Sequence, residues 1–182
     1  MSAREFDPFR LDVAAFAKAA GQLDGRWPLA QFDRLAESAV GGEGALEAGV
    51  VTWSARGEPR AMRGGEARVW IHLAAATSLP LECQRCLKPV DTALRLERSF
   101  LFVHGEDAAA QLDADSDDDV LALTRALDLR ELIEDELLLA LPIVPRHDVC
   151  PQPLVASADA EVADEKPNPF AALAALKRTD PN

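Results

Sequence analysis

Residues 67–103, ARVWIHLAAATSLPLECQRCLKPVDTALRLERSFLFV, hold two alternating apolar runs separated by a pair of cysteines. Val69, Ile71 and Leu73 alternate with Arg68, Trp70 and His72. Leu94 and Leu96 alternate with Arg95, Glu97 and Arg98, less cleanly toward the end. A period of two is the signature of a half-buried strand, because successive side chains on extended backbone point to opposite faces. Cys83-x-x-Cys86 then falls in the loop between two strands, with Pro80 before it and Pro89 after it.

Working outward, LEAGVVTWSARGEPRAMRGG (46–65) reads as a further strand with a turn at Gly57–Pro59. Residues 1–40 read as short helices. Asp12 caps LDVAAFAKAAG, Val13, Phe16, Ala17 and Ala20 share a face, and Gly21 stops it; WPLAQFDRLAES places Leu29, Phe32, Leu35 and Ala36 at helical spacing. DADSDDDV (113–120) has five aspartates and no apolar run, so an acidic loop is expected over 104–120. It lacks the central glycine and closing glutamate of a calcium loop. A helix is expected over 128–141, with Asp128 and Glu131 at its start, Leu129, Leu132, Ile133, Leu137, Ala140 and Leu141 as its buried stripe, and Pro142 as its stop. Glu134, Asp135 and Glu136 fall on its wet face.

These elements predict an α+β fold: a curved antiparallel sheet or small open barrel with flanking helices and a C-terminal tail helix. One domain is expected over 1–147. Residues 148–182 read as an acidic, proline-rich linker and a short helix, in which Phe170, Leu173 and Leu176 share a face suited to docking on a partner or on the chain's own sheet.

The 182 residues carry a net charge of −12, all of it from residues 101–182; the first hundred are neutral. The acidic half repels phosphates and attracts basic proteins. With no long apolar run and charges in MSAREFDPFRLD, no membrane span or secretory signal is expected, which places the chain in the cytoplasm. Three cysteines in a reducing compartment are thiols, metal ligands or redox groups. A redox pair belongs at a helix start, and Pro89 with the alternating run beyond Cys86 disfavours one. Cys83 and Cys86 with His147 and Cys150 make a Cys3His set, read either as a site for one zinc ion or as free structural thiols. His72 and His104 read as ordinary strand residues.

LECQRCLKPV (81–90), EDELLLALPIVPRHD (134–148) and KPNPFAALAALKR (166–178), in that order and with DRLAES at 33–38, resemble the bacterial YceD family, the large ribosomal RNA subunit accumulation proteins. The resemblance covers most of the chain. It implies a role in synthesis, processing or stability of large-subunit ribosomal RNA, with no assigned catalytic site and no small-molecule substrate. It also implies that some relatives carry a second cysteine pair after the helix, where this chain has Cys150 alone.

The leading reading is a non-catalytic factor that binds large-subunit ribosomal RNA or a basic ribosomal or assembly protein; the alternatives are an enzyme such as a nuclease acting on precursor RNA, and a zinc-dependent protein-interaction module unrelated to RNA. Hydrolysis needs clustered carboxylates holding metals, or histidines with a lysine, and no such set stands out. Between Arg56 and Arg98 eight basic residues face five acidic ones. Arg63, Arg85, Lys88, Arg95 and Arg98 are the candidate contacts for RNA or a partner, with Trp53 and Trp70 as stacking platforms if they are exposed.

Overall fold

The computed structural model describes residues 6–41, 49–61 and 67–151. Residues Met1–Cys150 form one compact unit. Five strands make one sheet in the order β1-β2-β3-β4-β5: β1 Gln22–Pro28, β2 Val50–Arg60, β3 Arg68–Glu82, β4 Pro89–Val103 and β5 Asp119–Ala122. Four helices are described, α1 Val13–Lys18, α2 Asp33–Glu37, α3 Glu106–Asp115 and α4 Leu129–Leu139, with a 3-10 turn at Leu29–Gln31. The α+β class and the unclosed sheet agree with expectation. The sheet is mixed: β1 to β4 are antiparallel, while β5 runs parallel to β4.

β3 and β4 form a hairpin of fifteen residues a side, paired from Val69↔Phe102 to Glu82↔Pro89. At the usual rise per residue each arm is about 45 Å long. The register sends Ile71, Leu73, Ala75, Leu79, Leu81, Leu94, Leu96, Phe100 and Phe102 into the main core. They meet Leu11, Val13, Phe16, Leu29, Phe32, Leu35, Leu129, Ile133 and Leu137 from the helices and the turns beside them. On the opposite face α3 covers a smaller cluster of Trp70, Leu101, Ala109 and Val120.

Three sequence expectations are corrected. Residues 1–40 are not all helical, since 22–28 is a strand: Leu23, Gly25 and Trp27 are half-buried and alternate with exposed Gln22, Asp24 and Arg26. Gly25 hides that alternation, and it is small because a Cβ there would lie 3.0 Å from the Trp53 ring. Gly57–Pro59 is strand rather than turn. The last β1–β2 pair is Gln22↔Arg56, so beyond it β2 has no strand on that side among the described residues, and an edge tolerates proline. Gly57 is required by α1, whose Ala17 Cα would sit 2.8 Å from an added Cβ. The stretch 104–120 contains α3 and the start of β5, because Ala108–Ala110 favour helix, Glu106 and Asp107 suit its first turn, and Ala109 with Leu112 pack on the sheet. The tail helix with Phe170, Leu173 and Leu176 lies outside the described residues.

α4 begins where expected. The Asp128 carboxylate accepts from the backbone N–H groups of Arg130 and Glu131 at 2.9 and 3.1 Å, and Leu129, Ile133 and Leu137 are fully buried. Its wet face is not all wet. Glu134 is 8% exposed and accepts from the backbone N–H groups of Arg34 and Leu35 at 2.8 and 3.1 Å, while its other oxygen takes the Arg34 guanidinium at 2.9 and 3.1 Å. One carboxylate thus fastens the first turn of α2 to α4. Asp135 takes the same guanidinium at 2.6 Å.

Replacing Glu134 by alanine leaves those N–H groups without their acceptor in a largely buried contact. The variant is expected to lose about 2–4 kcal/mol of stability. Exposed Glu131→Ala, one turn earlier, should change it by under about 0.5 kcal/mol. Urea unfolding of both variants checks this, and equal losses would contradict it.

Candidate metal centre and the sheet face

Where β3 ends, the chain turns through Cys83–Lys88. Leu87 N–H donates to the Cys83 carbonyl at 2.8 Å and Cys83 N–H to the Lys88 carbonyl at 3.0 Å. Leu87 sits at φ +57°, the left-handed conformation glycine supplies more cheaply, at a cost of about 1–2 kcal/mol. After α4, Pro142 turns the chain back and the segment 143–150 lies against this loop. Gln84 N–H donates to the Pro145 carbonyl at 2.9 Å, and the Arg85 guanidinium donates to the carbonyls of His147 and Asp148.

The result brings together all four candidate ligands. One donor atom from each of Cys83, Cys86, His147 and Cys150 lies within 4.8 Å of the other three. Cys83 Sγ is 3.9 Å from Cys150 Sγ, Cys86 Sγ is 3.5 Å from His147 Nδ1, and His147 N–H points at Cys83 Sγ from 3.4 Å. Cys83 and Cys86 are buried, the other two half-buried, and the three thiols are free of disulfides. Burial pushes the Cys83 thiol up, but the backbone N–H groups of His147, Arg85 and Cys86 outweigh it and hold the thiol at about 5. Burial raises the Cys150 thiol, helped by the neighbouring Cys86 and Cys83 sulfurs. The group could hold one metal ion.

The candidate binding residues scatter. Arg85 is committed to backbone carbonyls of 147–148. Arg98 was expected beside Arg95 and Glu97 but lies on the opposite face of β4, as a strict period of two requires, 3.3 Å from Glu136 and 3.6 Å from Asp119. Burial raises the Glu136 carboxyl against the pull of Arg98. Lys88 and Arg95 are exposed, and Arg63 lies outside the described residues. Trp53 and Trp70 are each 6% exposed and belong to the core, so neither offers a stacking platform.

Two features were not legible beforehand. Leu87, Leu139, Ile143, Val144 and Val149, all on the cysteine loop or between the end of α4 and Cys150, are five of the six exposed large hydrophobics among the described residues. The second is His72, on the sheet face opposite the main core. Its Nε2 lies 2.8 Å from Glu58 Oε2 and its Nδ1 2.8 Å from Ser99 Oγ. The register explains the meeting, since Arg56↔His72↔Ser99 is one row across three strands. This row lines an open depression of about 430 Å³ together with Ser54 and Ala74.

The family model described as "Large ribosomal RNA subunit accumulation protein YceD" matches residues 71–177. The chain is also 34% identical over 175 residues to the "Large ribosomal RNA subunit accumulation protein YceD" of Haemophilus influenzae, covering 92% of this chain and 95% of that protein. No solved structure matches. The chain belongs to the YceD family. Among the described residues no helix is long and apolar enough to cross a membrane.

Glu58 gives the sheet face a measurable acid limit. Hydrogen bonds from Arg60 and then His72 lower its carboxyl from 4.5 to about 2. A carboxyl lowered on folding adds stability above its unfolded value and loses it as pH falls through the folded value. This contribution should therefore fade between pH 4.5 and about 2. Carboxyl NMR titration should place the Glu58 midpoint near 2, and the stability gap between the native chain and Glu58→Gln should close over the same interval. A midpoint near 4.5 would contradict it.

Proposed function

We propose that this member of the YceD family supports accumulation of large-subunit ribosomal RNA as a non-catalytic factor, by docking a ribosomal or assembly protein of the large subunit on the tip of the β3–β4 hairpin. The observation that carries this reading is the exposed aliphatic set Leu87, Leu139, Ile143, Val144 and Val149, with Ile143 99% exposed. Folded chains seldom leave several large aliphatic side chains in water at one place unless a partner covers them. Aliphatic side chains without an exposed aromatic suit a protein surface better than unstacked bases. The acidic run Glu106–Asp119 has no basic residue within it, so it draws a basic partner by long-range attraction.

Direct RNA contact is the second reading, supported by the exposed cations Lys88 and Arg95. An RNA-cleaving enzyme has less support. The Ser99–His72–Glu58 chain joins a hydroxyl to a base, yet its carboxylate is already held by Arg60 at 2.7 Å and Arg56 at 3.4 Å. Glu134 and Asp135 are likewise taken by Arg34.

Deletion of the gene should lower large-subunit relative to small-subunit ribosomal RNA. The double variant Ile143→Asp, Val149→Asp should fail to restore the ratio while keeping the native melting temperature; Lys88→Glu with Arg95→Glu should restore it. If the charge variant fails instead, and the purified chain binds large-subunit RNA with an affinity that drops steeply with salt, the RNA reading replaces the protein one. A normal RNA ratio in the deletion strain would sink both.

A further inference from the structure

We infer that Cys83, Cys86, His147 and Cys150 hold one zinc(II) ion in a closed tetrahedral site whose work is structural. The basis is the spacing of the donors. Zinc takes thiolate sulfur at about 2.3 Å and imidazole nitrogen at about 2.0–2.1 Å, so a tetrahedral ion sets sulfurs about 3.8 Å apart and sulfur about 3.5 Å from nitrogen. The Cys83–Cys150 separation is 3.9 Å and the Cys86–His147 separation is 3.5 Å. All four donor atoms lie within 4.8 Å of one another, so the ion fits between them once the wider pairs draw in.

Three further features agree. Thiolate and imidazole donors suit zinc and not magnesium or calcium, which take oxygen. Four protein ligands leave no open position for a substrate or an activated water, which separates a structural from a catalytic site. The frame is also built independently of the ligands: the Leu87 and Cys83 backbone bonds shape the loop, and Arg85 and Gln84 bond the carbonyls of 145, 147 and 148. Left-handed Leu87 does what a glycine does in other such loops. On binding, the three cysteines coordinate as thiolates, any thiol protons still present pass to solvent, and nothing is oxidised. The ion joins two segments 61 residues apart in sequence at Cys86 and His147. Its last ligand, Cys150, is also the last residue of the compact unit.

The full chain, purified under reducing conditions without added metal, should contain about one zinc per chain by elemental analysis. Chelation should lower its melting temperature by more than about 5 °C, and zinc, but not magnesium, should restore it. Cys86→Ser and His147→Ala should each lose the metal. Should these variants fail to fold, cobalt(II) added to the stripped native chain gives an independent reading. Thiolate-to-cobalt charge transfer with the strong visible bands of tetrahedral cobalt supports the site, and the weak bands of octahedral oxygen ligation overturn it. A melting temperature unmoved by chelation in a metal-free preparation, or iron in place of zinc at full occupancy, overturns it as well.

Discussion

The pairing register between β3 and β4 is the constraint on which the other features rest. Because side chains alternate with a period of two, the single register from Val69↔Phe102 to Glu82↔Pro89 decides which residues face the helices and which face α3 or solvent. Slipping it by one residue would turn Phe100 and Phe102 outward while Ile71 and Leu73 still faced the helices. The same register aligns His72 with Ser99, closes the ladder at Glu82, and so delivers Cys83 and Cys86 to a turn at the hairpin's far end.

α4 transmits that frame to the rest of the unit. Its apolar stripe lies on the sheet, Glu134 takes the backbone N–H groups that open α2, and Glu136 meets Arg98 on β4. A buried carboxylate without such donors would be strongly destabilising, so the short α2 and the long α4 have to form together. The helix then ends at Leu139 with Ala140 as its cap, and the following prolines steer His147 and Cys150 back to the cysteine loop. The hairpin's two ends carry different chemistry: thiols, an imidazole and bare aliphatic groups at one, the acidic α3 and β5 at the other.

Much of this was legible in the residues and some was not, for reasons that can be named. β3, β4 and α4 announce themselves through alternation, a capping aspartate and a terminal proline. β1 does not, because Gly25 leaves a gap in its pattern, and α3 does not, because only Ala109 and Leu112 mark its packed side. The four metal-ligating residue types could be picked out by kind, yet their meeting depends on how α4 redirects the chain, which spacing cannot tell. Glu134 looked solvated since its partners are backbone N–H groups a hundred residues away, and backbone leaves no trace in composition. His72 looked ordinary because its partners sit on two other strands.

The brevity of β5 has its own consequence. It pairs only with Phe100–Val103, so the outer edge of β4 from Pro89 to Ser99 has no neighbouring strand among the described residues. An open edge of that length is a template for another copy of the chain, and aggregation starts at such places. Here Pro89 lacks an amide donor, and Asp91, Arg95, Glu97 and Arg98 line the edge with exposed charges of both signs. Those charges make intermolecular strand addition at this edge expensive.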